Sequence, residues 1–253
     1  MIRRTLMQQT NQPKPTDFRN RGHEVSRIEG FSDAVFGFAL TLLVVSLQVP
    51  ETFDQMIDTM KDALAFGVCF VLLFHFWYKH YVFFRRYGLS DMPTILLNAA
   101  LLFVLLMYVY PLKFMFSIVV AMMTGIGPKR VSSGMISNAD VPTLFIVFGA
   151  GYAALYGIYA LLHLHALRMS GKLGLSELER HDTRTGIYTN LACGSLGVIS
   201  IILALTLSGA WLQVAGWCYG LTGFFAAAVG VSMGARRTRL ERTSNASEAT
   251  STI

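Results

Sequence analysis

Six apolar stretches, near 31–49, 63–84, 94–120, 141–167, 186–208 and 211–234, constrain this chain more than any other feature. Each approaches or exceeds the ~20 residues that a helix needs to cross a bilayer. In hydrocarbon every backbone N–H and C=O must be satisfied within the protein, so the expected fold class is an all-α integral membrane protein with six transmembrane helices per subunit. A mean hydropathy of +0.49 and 14% charged residues point the same way. The third stretch runs long and contains Pro111 and Lys113. It is expected to kink at the proline or end near it, with 114–127 forming an interfacial or re-entrant piece.

The distribution of basic residues gives an orientation. The first 26 residues are polar and hold no apolar signal core, so the first span is expected to act as the insertion signal. Of the 21 Lys and Arg, all but Lys61, Lys113, Lys129 and Arg130 fall on the side shared by the two termini. By the positive-inside rule both termini are cytoplasmic and the span count is even. The organisation reads as a cytoplasmic tail over 1–28, a membrane domain over 29–235, and a basic then Ser/Thr-rich cytoplasmic tail over 236–253. The part after Arg242 is of low complexity and expected to be disordered. Topology accounts for the net charge of +6, and nothing in it calls for nucleic acid. Cys69, Cys193 and Cys218 lie within apolar spans and read as small core residues rather than a disulfide framework.

The first span is not uniformly apolar. At about 100° per residue, Gly37, Gln48, Thr41, Ala34, Val45 and Phe38 fall within an arc of roughly 100°, whereas Leu40, Leu43 and Leu47 point elsewhere. A hydroxyl, an amide and a bare glycine are poor lipid-facing choices, so this stripe should meet protein or water. No second copy of the segment occurs, and one helix cannot enclose a pathway. A symmetric oligomer with several first helices around a common axis is the economical solution, the first helix lining a central pore.

Arg27, Ser32 and Asp33 fall where cytoplasm meets hydrocarbon, and an unpaired carboxylate in the membrane costs roughly 2.5–3.5 kcal/mol or more, so they should be paired. Partners at the same level are Trp77 and His80 at the end of the second span and Asn98 early in the third, which together read as a structural latch. His75 and His80 are five apart, His163 and His165 two apart, and neither pair lies on one helix face; His23 and His181 add no ligand spacing, so no metal or other cofactor is expected. There is no nucleophile elbow, no phosphate-binding glycine loop and no carboxylate pair deep in a span, so an enzyme is not expected. A carbonyl filter sequence and a voltage-sensing arginine series are likewise missing. The outer connection from Pro50 to Asp58 is acidic: repeated around an axis it would concentrate cations, and alone it is an ordinary start to the second span.

The segment Arg27-x-x-x-Phe31-Ser32-Asp33-Ala34-Val35-Phe36, continuing through Thr41-Leu42-Leu43 to Pro50, resembles the prokaryotic branch of the lysosomal potassium channel family known as transmembrane protein 175. Trp77-x-x-His80, Asn98 and Pro111 add to the match, which covers the first three spans well and the last three by topology. The resemblance implies a homotetramer in the cytoplasmic membrane of a prokaryote, each subunit placing its first helix around a K⁺-permeable pore without a carbonyl filter. It implies a hydrophobic gate at Phe38, where the family usually has isoleucine or leucine, a selectivity hydroxyl at Thr41, and Val45 one turn further out. Phenylalanine at 38 leaves open whether Phe38 or Thr41 and Leu42 form the narrowest ring. Arg27, Phe31, Ser32 and Asp33 with Trp77, His80 and Asn98 are then the motif network, and the partners are a second copy of the chain, K⁺ and the bilayer. A secondary transporter is the alternative, with Gly149-Ala150-Gly151 as the interruption that a broken helix would need. A non-conducting scaffold is the third.

Overall fold

A computed structural model describes residues 18–22, 24–45, 50–125, 137 and 139–251. The described residues form α1 (Arg27–Val45), α2 (Phe53–Met60), α3 (Ala63–Tyr87), α4 (Met92–Thr124), α5 (Val141–Arg168), the single turn α6 (Ser170–Leu173) and α7 (Glu177–Thr206). A bend of short helical turns over Gly209–Leu221, including α8 (Val214–Trp217), leads into α9 (Thr222–Ser251). Six helices are long and apolar enough to span a bilayer: α1, α3, α4, α5, α7 and the stretch Trp211–Leu240. The chain is a multi-pass helical membrane protein.

Local chemistry places the boundaries. Ser176 and Glu179 form a reciprocal capping box at the start of α7. Gly88 closes α3 in the left-handed region at φ 58°, and a Cβ there would sit 3.1 Å from the Arg21 backbone carbon, so both conformation and space require glycine. Asp91 precedes α4 and meets the Thr94 hydroxyl at 2.5 Å and His165 at 2.7 Å. Partial burial pushes its carboxyl up, but these bonds outweigh that and hold it below the ordinary carboxylate range.

Three expectations are corrected. Helix α4 continues unbroken through Pro111 to Thr124 rather than ending near the proline, and its last turns are what bring Lys113 and Ser117 to Asp62. A proline is tolerated within a membrane helix because neighbouring groups take up the freed carbonyl. The acidic stretch caps its own short helix, with Thr52 accepting from the Gln55 N–H, instead of opening the second span. Helix α9 runs past Arg242 to Ser251, through a stretch in which Ala246, Glu248 and Ala249 are the good helix formers.

Helices pack in a series: α1 against α3 and α4, α4 against α5, α5 against α7 and α7 against α9. The closest approach is between α5 and α7, where a Cβ on Gly197 would lie 2.5 Å from the Gly149 carbonyl oxygen. Gly151 receives the Tyr108 ring, at 2.3 Å from where its Cβ would stand. The Gly149-Ala150-Gly151 run is thus a contact surface inside an unbroken helix and not an interruption of it. Gly197→Ala should destabilise the bundle by about 1–3 kcal/mol, whereas Gly157→Ala, with open space around its Cβ, should be neutral or stabilising. Thermal midpoints of the two variants in detergent check this pair.

Candidate pore helix and its polar latch

Helix α1 is held along one face. Glu29, Ser32, Phe36, Ala39 and Leu43 are buried, and their three-four spacing winds a single stripe down the helix against α3 and α4. On the opposite side Ala34, Gly37, Phe38, Thr41 and Val45 are exposed, Phe38 at 56% and Val45 at 70% of full accessibility. The small and polar stripe of the sequence is therefore the exposed face among the described residues. Leu42, about 40° away from Phe38 on the helix, is half-buried against the core. Gln48 lies outside the described residues.

Ser32 sits at the centre of a buried relay. Its hydroxyl donates to the Ile28 carbonyl at 2.8 Å, which leaves Oγ to accept from the Asn98 amide at 2.9 Å. The Asn98 carbonyl consequently faces His80 Nε2, 3.0 Å away, and since an amide oxygen only accepts, Nε2 carries the proton. Ser32, Asn98 and His80 are exposed by 2% or less, so the chain of donors and acceptors closes without water. His80 is sandwiched between Phe36 and Phe84, with ring centroids at 5.6 and 4.5 Å. A second tie runs at the surface, where the Trp77 indole N–H donates to Asp33 at 2.8 Å. The amino end of α1 is fixed by Glu29, which accepts from the Ser26 N–H and hydroxyl.

Not every motif residue joins this latch. Arg27 is exposed and Phe31 is 64% exposed, and both project from the same side as Phe38 and Val45. Within one chain they belong to the free face and not to the network. The histidines also serve separate ends: His80 in the relay, His163 against the Tyr159 carbonyl, and His165 against Asp91. No group of three or more His, Cys, Asp or Glu able to hold a metal occurs among the described residues.

Two polar contacts were not foreseen from the sequence. At the end of the bundle away from the chain tails Asp62, 1% exposed, accepts from Ser117 at 2.7 Å and faces the Lys113 ammonium at 3.7 Å. At the opposite end Arg21 forks onto Glu179, at 3.0 Å through Nη1 and 2.7 Å through Nη2, and bonds the Leu173 carbonyl. A lysine two residues beyond a proline and an aspartate just before an apolar run were the available signals for the first of these. The second needed the tertiary fold.

An all-helical membrane subunit with a latched first helix and one unpartnered polar stripe defines a class of oligomeric membrane proteins. The model of the endosomal/lysosomal potassium channel TMEM175 family matches residues 27–109, the stretch that holds α1, the relay and the first half of α4. A protein of Marivirga tractuosa described as a potassium channel is 42% identical over 193 residues, covering 75% of this chain and 78% of its own. The crystal structure of a variant of the potassium channel MtTMEM175, in complex with a Nanobody-MBP fusion protein, superposes with a TM-score of 0.78 at 36% identity, over 88% of this chain and 98% of that one. The chain belongs to the TMEM175 family. A TMEM175 homolog from Chamaesiphon minutus, 22% identical with a TM-score of 0.50 over 80% of this chain and 96% of its own, shares the fold. The family is one of channels and not of enzymes, in line with the missing catalytic patterns.

Proposed function

We propose that the chain is the subunit of a homotetrameric, K⁺-permeable leak channel of the prokaryotic plasma membrane, with both termini cytoplasmic and with α1 facing the central axis. The observation that carries this reading is the free face of α1, which lies opposite the stripe that holds the helix to α3 and α4. A glycine, a hydroxyl and exposed apolar side chains on one face need a partner, and a second copy of the same face around an axis supplies one. The relatives described as potassium channels support K⁺ as the permeant ion.

In this reading Phe38 closes the pathway by dewetting, since a K⁺ ion cannot keep its hydration shell within a ring of phenyl groups. Thr41 stands one turn away. Its hydroxyl donates to the Gly37 carbonyl at 2.9 Å, so the oxygen lone pairs remain for a partly dehydrated cation. Leu42 flanks the ring from its half-buried position, and Val45 lines the next turn outward. Selectivity arises from side chains, without a carbonyl filter, and no span carries the arginine series of a voltage sensor.

Potassium efflux from liposomes that hold the purified protein tests the reading. Phe38→Ala should raise K⁺ flux about tenfold, the equivalent of a barrier lowered by about 1.4 kcal/mol, and Thr41→Ala should change the K⁺/Na⁺ preference. Background flux in the wild type and in both variants would refute conduction along α1. Saturable flux coupled to H⁺ or Na⁺ would identify a carrier.

A further inference from the structure

Between the inner halves of α3, α5 and α7 lies a cleft of about 350 Å³ that conduction along α1 does not use. Two helix faces build it. Lys79 and Arg86, seven residues apart, share one side of α3, and Asp182, Thr185, Thr189 and Asn190 share the facing side of α7. Gly186 leaves room for the His163 ring at the back, since a Cβ there would stand 2.6 Å from it.

The charges in this cleft do not balance. The Lys79 ammonium meets the Asn190 amide oxygen at 2.5 Å and lies 4.7 and 5.1 Å from the Tyr156 and Tyr159 ring centroids, all neutral partners. The Arg86 guanidinium stacks on Phe18 at 4.8 Å. Asp182 is the cleft's carboxylate, and the Arg237 Nε lies 3.2 and 3.4 Å from its two oxygens. Among the described residues neither Lys79 nor Arg86 has a carboxylate at ion-pair distance. A partly desolvated cation with only neutral partners is costly, so the cleft is short of an anion. It also has donors to spare: the remaining N–H groups of Lys79 and Arg86 and the Thr189 hydroxyl.

We propose that this cleft binds the phosphodiester headgroup of an anionic phospholipid in the leaflet on the side of the two chain tails. A lipid is favoured as the source because the cleft opens beside an exposed aromatic side chain of the spanning helix α3. Tyr78, which lines the cleft and is 53% exposed, and the half-buried Val82 beside it give an acyl chain an apolar surface to lie along while the phosphate reaches the cations. Lys79 stands in sequence between Trp77 and His80, so a headgroup that fixes Lys79 also fixes the turn of α3 that holds α1.

The test is native mass spectrometry of the full-length protein in neutral detergent, with phosphatidylglycerol or phosphatidylcholine added and inorganic phosphate as competitor. The wild type should retain phosphatidylglycerol about tenfold better than phosphatidylcholine. Lys79→Gln and Arg86→Gln should each cut that retention by about tenfold, the scale of a lost charge-assisted hydrogen bond, at unchanged oligomer mass. Arg86→Gln guards against a folding artefact, because Arg86 stacks on a ring and holds no ion pair. Equal retention of the two lipids, or no loss of phosphatidylglycerol in Arg86→Gln, overturns the proposal. Displacement of phosphatidylglycerol by inorganic phosphate overturns the lipid source and assigns the cleft to a soluble phosphate. No ion flux enters this measurement, so its outcome is separate from that of the channel reading.

Discussion

Lys113→Met should destabilise the folded subunit by about 3–5 kcal/mol, because it leaves a carboxylate that is 1% exposed without the ammonium 3.7 Å away. The residual Ser117 hydroxyl, at 2.7 Å from Asp62, answers only part of that charge. The double variant Asp62→Leu, Lys113→Met should recover most of the loss, since removing both charges also removes their desolvation penalty. Denaturation midpoints of the two proteins in detergent separate the cases. Equal losses in the single and double variants would mean that the site contributes packing and that the ion pair contributes nothing.

Asn98→Leu should destabilise the subunit by about 3 kcal/mol and loosen α1 in particular. The side chain is the single link between α1 and α3 at the core of the relay, donating to Ser32 and accepting from His80. Without it a buried imidazole N–H loses its acceptor and a buried hydroxyl oxygen loses its donor, each worth about 1–3 kcal/mol. Hydrogen exchange along α1 should rise while α5 and α7, joined through Gly149 and Gly197, stay protected. Uniform exchange across all helices would show that the relay stabilises the bundle as a whole and does not fasten α1.

The positions of the spans were legible because hydrocarbon imposes one length and one backbone solution on them, and the described helices follow the six apolar runs. The relay was legible for a related reason: Ser32, His80 and Asn98 are polar residues at one level of otherwise apolar helices, and such groups seek each other. Arg27 was grouped with them by its level in the membrane and Phe31 by the family motif, yet a helix turns about 100° per residue and carries both to the other side. Lys79 was counted among the basic residues on the side of the two termini, and only the packing of α3 shows that it lies between helices, against Asn190. The glycines of α5 looked like a break because composition does not reveal what a missing side chain makes room for. The ion pair of Asp62 and Lys113 joins residues from different helices, and no spacing within one helix encodes it.

The bonds that hold α1 are unevenly distributed along its length. Its side-chain hydrogen bonds to α3 and α4 run through Ser32 and Asp33 in the first two turns, and just ahead of them the strap at Arg21 is riveted to α7 through Glu179. Beyond Asp33 the buried face presents the apolar side chains of Phe36, Ala39 and Leu43, whose contacts tolerate more sliding and tilting than a hydrogen bond does. The helix is thus built like a reed clamped at its base: its root keeps a fixed bearing, and compliance grows with distance toward Val45.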